Sequence, residues 1–319
     1  MGTLERNAGY GRIKRMKNAA RLGAALFVSM RPRQWYKNLI IYLAFFFTIN
    51  EAWSLDADIG AALQLFGVIT LAFLIFSALT GAVYLLNDIL DADSDRRHPR
   101  KRNRPIASCR LPVAAAWIAA VALTAIALGG AFTLNPIFGV ISLLYALANI
   151  AYSLALKHIV LVDVFVISGG MVLRAVAGAA IMGVPISPWL YLCTALAALL
   201  LALIKRRSQL TTAGTDAASQ RPSLSGYSVE SLHKLVVITA TASLIAYSLY
   251  TFTAPNLPAN GAMMLTIPFV AFGLFRYLIL SDSADAGENP EDLLLGDIPL
   301  IATALLWLSS AAVILAVFR

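Results

Sequence analysis

Runs of about 20 apolar residues alternate with short polar segments along most of the chain. An α-helix of that length crosses the roughly 30 Å hydrocarbon core of a bilayer. The alternating ten-residue pattern of a transmembrane barrel is not found. The pattern therefore predicts an all-α, polytopic membrane protein with nine transmembrane helices. The predicted spans lie near 33–50, 61–87, 113–132, 136–156, 160–182, 187–205, 231–253, 261–281 and 297–318.

The composition supports this class. Of 319 residues, 59% are hydrophobic and only 13% are charged. Soluble globular domains are nearer a quarter charged, so that class and intrinsic disorder are both excluded. With only two cysteines, Cys109 and Cys193, no disulfide framework is expected.

The basic residues are distributed unevenly between the ends of the predicted spans. On the nine-span topology, 23 of the 25 Lys and Arg residues lie on one side of the membrane. Basic loops stay in the cytoplasm, so the N-terminus is expected there and the C-terminus outside. The net charge of +8 is explained by this topology, and no nucleic-acid partner is expected. The predicted organisation is a basic cytoplasmic segment, 1–32, followed by a nine-helix catalytic domain, 33–319.

Segment 10–30 mixes basic and apolar residues. One interpretation is an amphipathic helix on the cytoplasmic membrane face. The other is a charged tail that only sets topology. The pattern does not decide between them.

An acidic cluster ends the second predicted span. Asp88, Asp91 and Asp95 are spaced i, i+3 and i+7, so a continuous helix would place them on one face. Asn87 flanks that face, whereas Asp93 points roughly the opposite way. Converging carboxylates repel one another unless a hard divalent cation lies between them. Mg²⁺ prefers a few carboxylates together with substrate phosphate oxygens. A solvated helix end is the alternative.

A basic stretch, 96–105, follows the acidic cluster directly. Carboxylates, a metal ion and neighbouring bases are the means by which a protein holds a diphosphate. The stretch could also serve only as a topogenic loop. The candidate binding residues here are Arg96, Lys101, Arg102 and Arg104.

Further candidates lie at or inside the cytoplasmic ends of other spans. They are Gln34, Lys37, Tyr152, Lys157, Asp163 and Arg174. Arg174 comes eleven residues after Asp163 on the same helix face, at about 16 Å, too far for a direct pair. This favours an Arg174 that faces a polar cavity over one that snorkels or pairs within the helix bundle.

The motif Asn87-Asp88-x-x-Asp91-x-x-x-Asp95, at the end of a second span, resembles the UbiA superfamily of intramembrane prenyltransferases. The resemblance implies a helical bundle around a polar cavity that faces the cytoplasm. In that family two aspartate-rich motifs hold Mg²⁺ and a prenyl diphosphate, and an aromatic acceptor is alkylated. Here the loop after the sixth span has Lys205-Arg206-Arg207 where the second acidic motif is expected.

A narrower branch, the decaprenyl-phosphate phosphoribosyltransferases, is similar at more positions. The shared stretches are 31–38, 95–107, 156–157, 163–164, 173–174 and 205–207. Members of the branch carry Glu where this chain has Gln209. The resemblance implies a Mg²⁺-dependent transfer of 5-phosphoribose from phosphoribosyl pyrophosphate to a polyprenyl phosphate, with pyrophosphate released. The product would be a precursor for arabinan synthesis, made at the cytoplasmic face of a bacterial inner membrane.

The resemblance also implies roles for the candidate residues. Asp88, Asp91 and Asp95 are expected to be catalytic and, with Asn87, to bind the metal. The other candidates would bind substrate. The sequence leaves open whether the protein forms a homo-oligomer. The alternatives are a UbiA-type prenyltransferase that alkylates an aromatic acceptor and, from another class, an anion transporter. The missing second acidic motif disfavours the first, and the absence of an inverted repeat disfavours the second.

Overall fold

Helices make up the regular secondary structure in a computed structural model of the chain, which describes residues 20–54, 59–97, 101–185, 187–213, 222–282 and 293–318. Those ranges contain no β-strand beyond one isolated bridge, Ile49 to Trp53. The α-helices are α1 (Ala20–Ser29), α2 (Leu43–Phe47), α3 (Ile59–Leu90), α4 (Ala92–Arg97), α5 (Val113–Leu134), α6 (Pro136–Leu154), α7 (Val162–Met182), α8 (Pro188–Ala213), α9 (Val229–Thr253), α10 (Ile267–Asp282), α11 (Leu293–Gly296) and α12 (Ile298–Phe318). Short 3₁₀ helices span Pro32–Tyr42, Lys101–Asn103, Leu156–His158, Pro222–Gly226 and Ala262–Thr266. The predicted fold class, an all-α polytopic membrane protein, is confirmed.

Eight helices within the described residues are long and apolar enough to cross a membrane. They correspond to the second to ninth predicted spans. The first predicted span, 33–50, differs, because it forms the 3₁₀ helix Pro32–Tyr42 followed by the five-residue α2. Asn38, which is fully buried, donates hydrogen bonds to the hydroxyls of Ser77 (2.9 Å) and Thr80 (3.4 Å) on α3. These bonds hold the 3₁₀ segment against α3 through a polar contact that hydropathy does not reveal.

The N-terminal residues bear on the open question about segment 10–30. Residues 1–19 lie outside the described part of the chain, whereas Ala20–Ser29 is helical. Ala25 and Ser29, one turn apart, are buried, while Leu22, Phe27 and Val28 are exposed. The helix thus presents apolar side chains outward as well as inward. The boundary at residue 32 stays a prediction.

The Cα positions divide the chain into two compact units. The first comprises Met1–Leu39 and Phe73–Ala146. Its core includes Ala25 of α1, Leu85 of α3 and Ala116 of α5, together with two residues of the polar loop, Ile106 and Leu111, each 1% exposed. Burial of these two side chains fixes the backbone of a loop that is otherwise strongly basic.

The second unit comprises Ile40–Ala72 and Leu147–Arg319. One hydrophobic cluster joins α7, α8 and α9 through Val164, Leu203, Ile204 and Val236. Gly178 on α7 brings the backbone of residue 41 very close, since a β-carbon placed on Gly178 would lie 2.1 Å from the Ile41 carbonyl oxygen. Small residues commonly permit such approaches between membrane helices.

The contact at Gly178 predicts a strong substitution effect. Gly178→Ala would push α7 away from the backbone of residue 41. We expect it to lower the free energy of unfolding by about 1–3 kcal/mol. Thermal unfolding in detergent measures this change. Gly169→Ala on the same helix is the matched control, because nothing lies within 4 Å of its added β-carbon. Equal melting temperatures for the two variants would contradict the close approach.

Candidate active site

The acidic cluster lies where α3 passes into α4. Although Asp91 interrupts the assigned helices, its amide donates to the Asn87 carbonyl at 2.9 Å, and the Asp95 amide donates to the Asp91 carbonyl at 2.8 Å. These i to i−4 bonds keep the helical spacing across the junction. Asp88 and Asp95 are each 2% exposed, whereas the Asp93 side chain is 89% exposed. The spacing argument thus separates Asp93 from the buried pair correctly.

Two arginines neutralise the buried carboxylates. The Nη1 atom of Arg104 lies 3.2 Å from Oδ1 of Asp88 and 2.6 Å from Oδ2 of Asp95. Arg31 forms a second ion pair with Oδ1 of Asp88. One position therefore lies within reach of two carboxylates, and a cationic nitrogen occupies it. Within the described ranges, no three His, Cys, Asp or Glu side chains lie close enough together to hold a metal ion.

Arg31 was not among the residues predicted for the site. It precedes Pro32 and has a φ of +52°, in the left-handed region that non-glycine residues rarely adopt. A residue before proline is disfavoured in the α conformation, so α1 ends here. The guanidinium lies over the Tyr84 ring, 4.7 Å from its centroid. Only the fold brings Arg31 to Asp88, because 57 positions separate them in the sequence.

The other predicted residues of the first unit lie around this cluster with different exposures. Arg96 pairs with the exposed Asp93 at 2.8 Å and donates to the Ala107 carbonyl. Arg102 is exposed, and the Nζ atom of Lys37 lies 5.9 Å from the centroid of the Tyr36 ring. The half-buried residues are Gln34, Lys37, Asn87, Asp91 and Lys101.

A second polar cluster lies within the second unit, centred on Asp163. This carboxylate is 0% exposed and accepts hydrogen bonds from Arg206 Nε (2.7 Å), Ser223 (3.3 Å) and Tyr227 (2.9 Å). Burial raises the pKa of Tyr227 to about 12. The phenol therefore stays protonated at neutral pH and continues to donate to Asp163. These donors satisfy the oxygens of a carboxylate that would be costly to bury without partners.

Arg206 connects Asp163 to a second predicted residue. Its side chain, 2% exposed, also donates to Gln209 Oε1 at 2.6 Å and to the Tyr152 hydroxyl at 3.4 Å. The structure therefore brings Tyr152 and Asp163 together through an arginine that sequence reasoning placed only in a basic loop. Gln209 satisfies this arginine with an amide oxygen. Asp163 and Arg206 are 43 positions apart, so no local sequence pattern indicates that they pair.

Arg174 and Lys157 occupy separate positions on the second unit. Arg174 is 6% exposed and donates to the Gly170 carbonyl of its own helix at 2.8 Å. Its guanidinium also lies 3.7 Å from the Met171 sulfur. Lys157 lies half-buried in the short 3₁₀ helix before α7. The bond from Arg174 to Gly170 is a contact within the helix, whereas the sequence favours a side chain that faces a polar cavity.

An apolar cavity of about 320 Å³ also lies within the second unit. Its walls come from α2, α7, α8, α9 and α12. Phe47, Trp189, Leu190, Tyr250 and Trp307 are among the lining residues, and few polar side chains reach it. Such a cavity suits an apolar chain better than a charged group.

Comparison with known proteins gives consistent results. The model of the UbiA prenyltransferase family matches residues 41–295. The decaprenyl-phosphate phosphoribosyltransferase of Mycobacterium tuberculosis is 33% identical, over 91% of this chain and 94% of the relative. The enzyme of the same name from Mycolicibacterium smegmatis is 31% identical, over 91% and 92%. A UbiA homologue from Archaeoglobus fulgidus, solved with GPP and Mg²⁺, superposes with a TM-score of 0.68 at 19% identity, covering 92% of this chain and all of that one.

The solved homologue supports the fold, and the family match and the relatives extend over most of the sequence. Together they confirm the resemblance first seen in the acidic motif at 87–95. The chain belongs to the UbiA prenyltransferase family and is a membrane-embedded transferase.

Proposed function

We propose that this protein transfers 5-phosphoribose from phosphoribosyl pyrophosphate to a polyprenyl phosphate and releases pyrophosphate. The observation that carries the proposal is the identity of 31–33% over 91% of the chain to relatives named decaprenyl-phosphate phosphoribosyltransferase. Residues 205–207 lie within α8 and not in a loop after the sixth span, as the sequence had suggested, and they support the proposal. There, Arg206 and Arg207 are buried, and each is paired with a carboxylate, where a second acidic motif would otherwise lie.

The first unit supplies the site for the diphosphate. Asp88 and Asp95 fit a hard divalent cation, because two carboxylates converge on one cation position and Mg²⁺ commonly uses one or two carboxylates plus substrate phosphate oxygens. Asn87 and Asp91 are the further candidate ligands. When bound, the cation would neutralise charge on the departing pyrophosphate. Mg²⁺ is our proposal for this ion.

Around these ligands, basic and polar side chains would bind the donor's remaining oxygens. Guanidinium groups match phosphate oxygens in bidentate fashion, and Lys acts as a point charge. The first unit offers Gln34, Lys37, Arg96, Lys101, Arg102 and Arg104 for this role. Lys157 and Arg174, in the second unit, are further candidate substrate-binding residues.

The bond changes follow from the substrates. An oxygen of the lipid phosphate attacks C1 of the ribose while the bond from C1 to the diphosphate oxygen breaks, with inversion at C1. The leaving pyrophosphate keeps the bonding electron pair. A phosphate monoester is already ionised at neutral pH, so no side chain has to remove a proton. The protein's contribution is positioning and charge neutralisation.

The acceptor's lipid tail needs an apolar environment. The cavity beside Phe47, Trp189 and Trp307 offers one within the second unit. We further propose that the protein resides in a bacterial cytoplasmic membrane with its polar clusters on the cytoplasmic side, because basic loops border both clusters.

The donor is tested with purified protein in detergent, Mg²⁺, ribose-labelled phosphoribosyl pyrophosphate and polyprenyl monophosphate. Label should move into the lipid extract, and chelation should stop the transfer. Mass spectrometry of the lipid should show the added phosphoribose. Consumption of a prenyl diphosphate with an aromatic acceptor, while label stays in water, would favour the aromatic prenyltransferase instead.

The carboxylates should differ in importance. Asp88→Asn, Asp91→Asn and Asp95→Asn should each remove most of the activity, since each weakens the site for the metal and diphosphate. Asp93→Asn should keep nearly wild-type kcat/KM, because its side chain is 89% exposed. Steady-state kinetics with the labelled donor measures both. Normal turnover by Asp91→Asn would exclude it from the site.

Asp163 is predicted to contribute to the stability of the fold. Asp163→Asn leaves Arg206 buried without its charge partner, and breaking a buried pair costs about 3–5 kcal/mol. The melting temperature in detergent should therefore fall sharply. Glu230→Gln is the control, because its pair with Lys234 is exposed and contributes about 0–1 kcal/mol. An unchanged melting temperature with a raised KM for the donor would instead make Asp163 a substrate contact.

A further inference from the structure

Asp88 forms ion pairs with two arginines that come from different parts of the first unit. Arg31 comes from the turn after α1, and Arg104 from the loop before α5. Arg104 also holds Asp95, so a single guanidinium nitrogen lies between both buried carboxylates. This nitrogen occupies the position that a metal ion shared by Asp88 and Asp95 would need.

The formal charges of Arg31, Arg104, Asp88 and Asp95 balance one another. Two guanidinium groups face two carboxylates whose side chains are only 2–3% exposed. A divalent cation added to this arrangement would leave an excess positive charge in a poorly hydrated place, which is unfavourable. A diphosphate brings several negative charges and reverses the balance. A metal ion accompanied by a diphosphate is therefore accommodated where the metal alone is opposed.

The two carboxylates and the two arginines differ in how freely their side chains can move. Asp88 and Asp95 lie on helical backbone and are buried, whereas the side chains of Arg31 and Arg104 are 30% and 27% exposed. The backbone of Arg104 is itself held, because its amide donates to the Lys101 carbonyl and its carbonyl accepts from the Ser108 amide, both at 2.9 Å. Rotation of the two arginine side chains alone would move their guanidinium groups from carboxylate oxygens to phosphate oxygens. A guanidinium group binds both kinds of oxygen with matching geometry.

We propose that Arg31 and Arg104 make metal binding conditional on the diphosphate. Without a diphosphate they occupy the oxygens of Asp88 and Asp95 and compete with the metal. When the diphosphate enters with its metal, they move onto its oxygens and release the carboxylates. The inference rests on the proposed function only in requiring a diphosphate donor, and it concerns the order of binding.

Binding of Mn²⁺ to the full-length protein in detergent tests this, with electron paramagnetic resonance as the readout and no turnover. The wild type should bind Mn²⁺ weakly alone and more tightly when inorganic pyrophosphate is present. Arg104→Gln should bind Mn²⁺ alone about ten-fold more tightly than the wild type, which corresponds to about 1.4 kcal/mol. The enhancement by pyrophosphate should shrink in the same variant, and Arg31→Gln should change both quantities in the same directions. Asp88→Asn supplies the blank for Mn²⁺ bound to pyrophosphate in solution.

Arg110→Gln is the matched control, because it removes one positive charge from the same loop at an exposed side chain, which donates to the Ser108 hydroxyl and the Asn103 carbonyl. It should leave Mn²⁺ binding unchanged. Weaker or equal Mn²⁺ binding by both Arg104→Gln and Arg31→Gln, with melting temperatures near wild type, would overturn the proposal. So would an equal gain in Arg110→Gln, since it would reduce the effect to net charge. If a melting temperature falls, Arg104→Lys replaces Arg104→Gln. It should bind Mn²⁺ alone more tightly than wild type, because the Nη1 atom that lies between the two carboxylates is lost.

The result of the Mn²⁺ binding experiment can be distinguished from the result of the donor assay. Inorganic pyrophosphate is common to phosphoribosyl and prenyl diphosphate donors. Failure of label transfer from phosphoribosyl pyrophosphate would therefore overturn the proposed donor and leave the Mn²⁺ result standing. Transfer of label together with unchanged Mn²⁺ binding in the arginine variants would do the reverse.

Discussion

A carboxylate that is buried in a chain this apolar has to be neutralised, and much of the polar architecture follows from that requirement. An isolated charge in a low-dielectric interior costs far more than an ion pair with good hydrogen bonds. Asp88 and Asp95 meet the requirement with Arg31 and Arg104, and Asp163 meets it with Arg206. Arg31 and Arg206 come from segments 57 and 43 positions away, and Arg104 comes from the loop before α5. Each pair therefore also holds a loop or helix end in place.

The first unit shows how such pairing shapes a loop. The segment after α4 carries several bases, which would normally stay in water. Ile106 and Leu111 instead bury their side chains against α3 and α5, and this places Arg104 beside the carboxylates. The hydrophobic anchors fix the backbone, and the ion pairs use the polar side chains that remain. A loop that sets membrane topology by its charge can therefore also carry the chemistry of the site.

In the second unit, the need to neutralise a buried carboxylate also makes the structure rigid. Arg206 contacts Asp163, Gln209 and Tyr152, and Tyr227 bonds to Asp163 and to the Leu161 amide. A network with every member satisfied holds side chains in one arrangement. Arg206 belongs to the basic stretch 205–207 within α8, so this stretch takes part in the network.

Hydropathy and charge spacing alone determined the helical membrane fold, eight of the nine spans and the shared face of Asp88 and Asp95, because these depend on local periodicity. The tertiary structure decided what depends on distant partners. It made 32–42 a 3₁₀ helix through the bonds of Asn38 to α3, and it brought Arg31 to Asp88 and Arg206 to Asp163. Residues dozens of positions apart carry no mutual signal in a single sequence, since their contact arises only when the intervening helices pack.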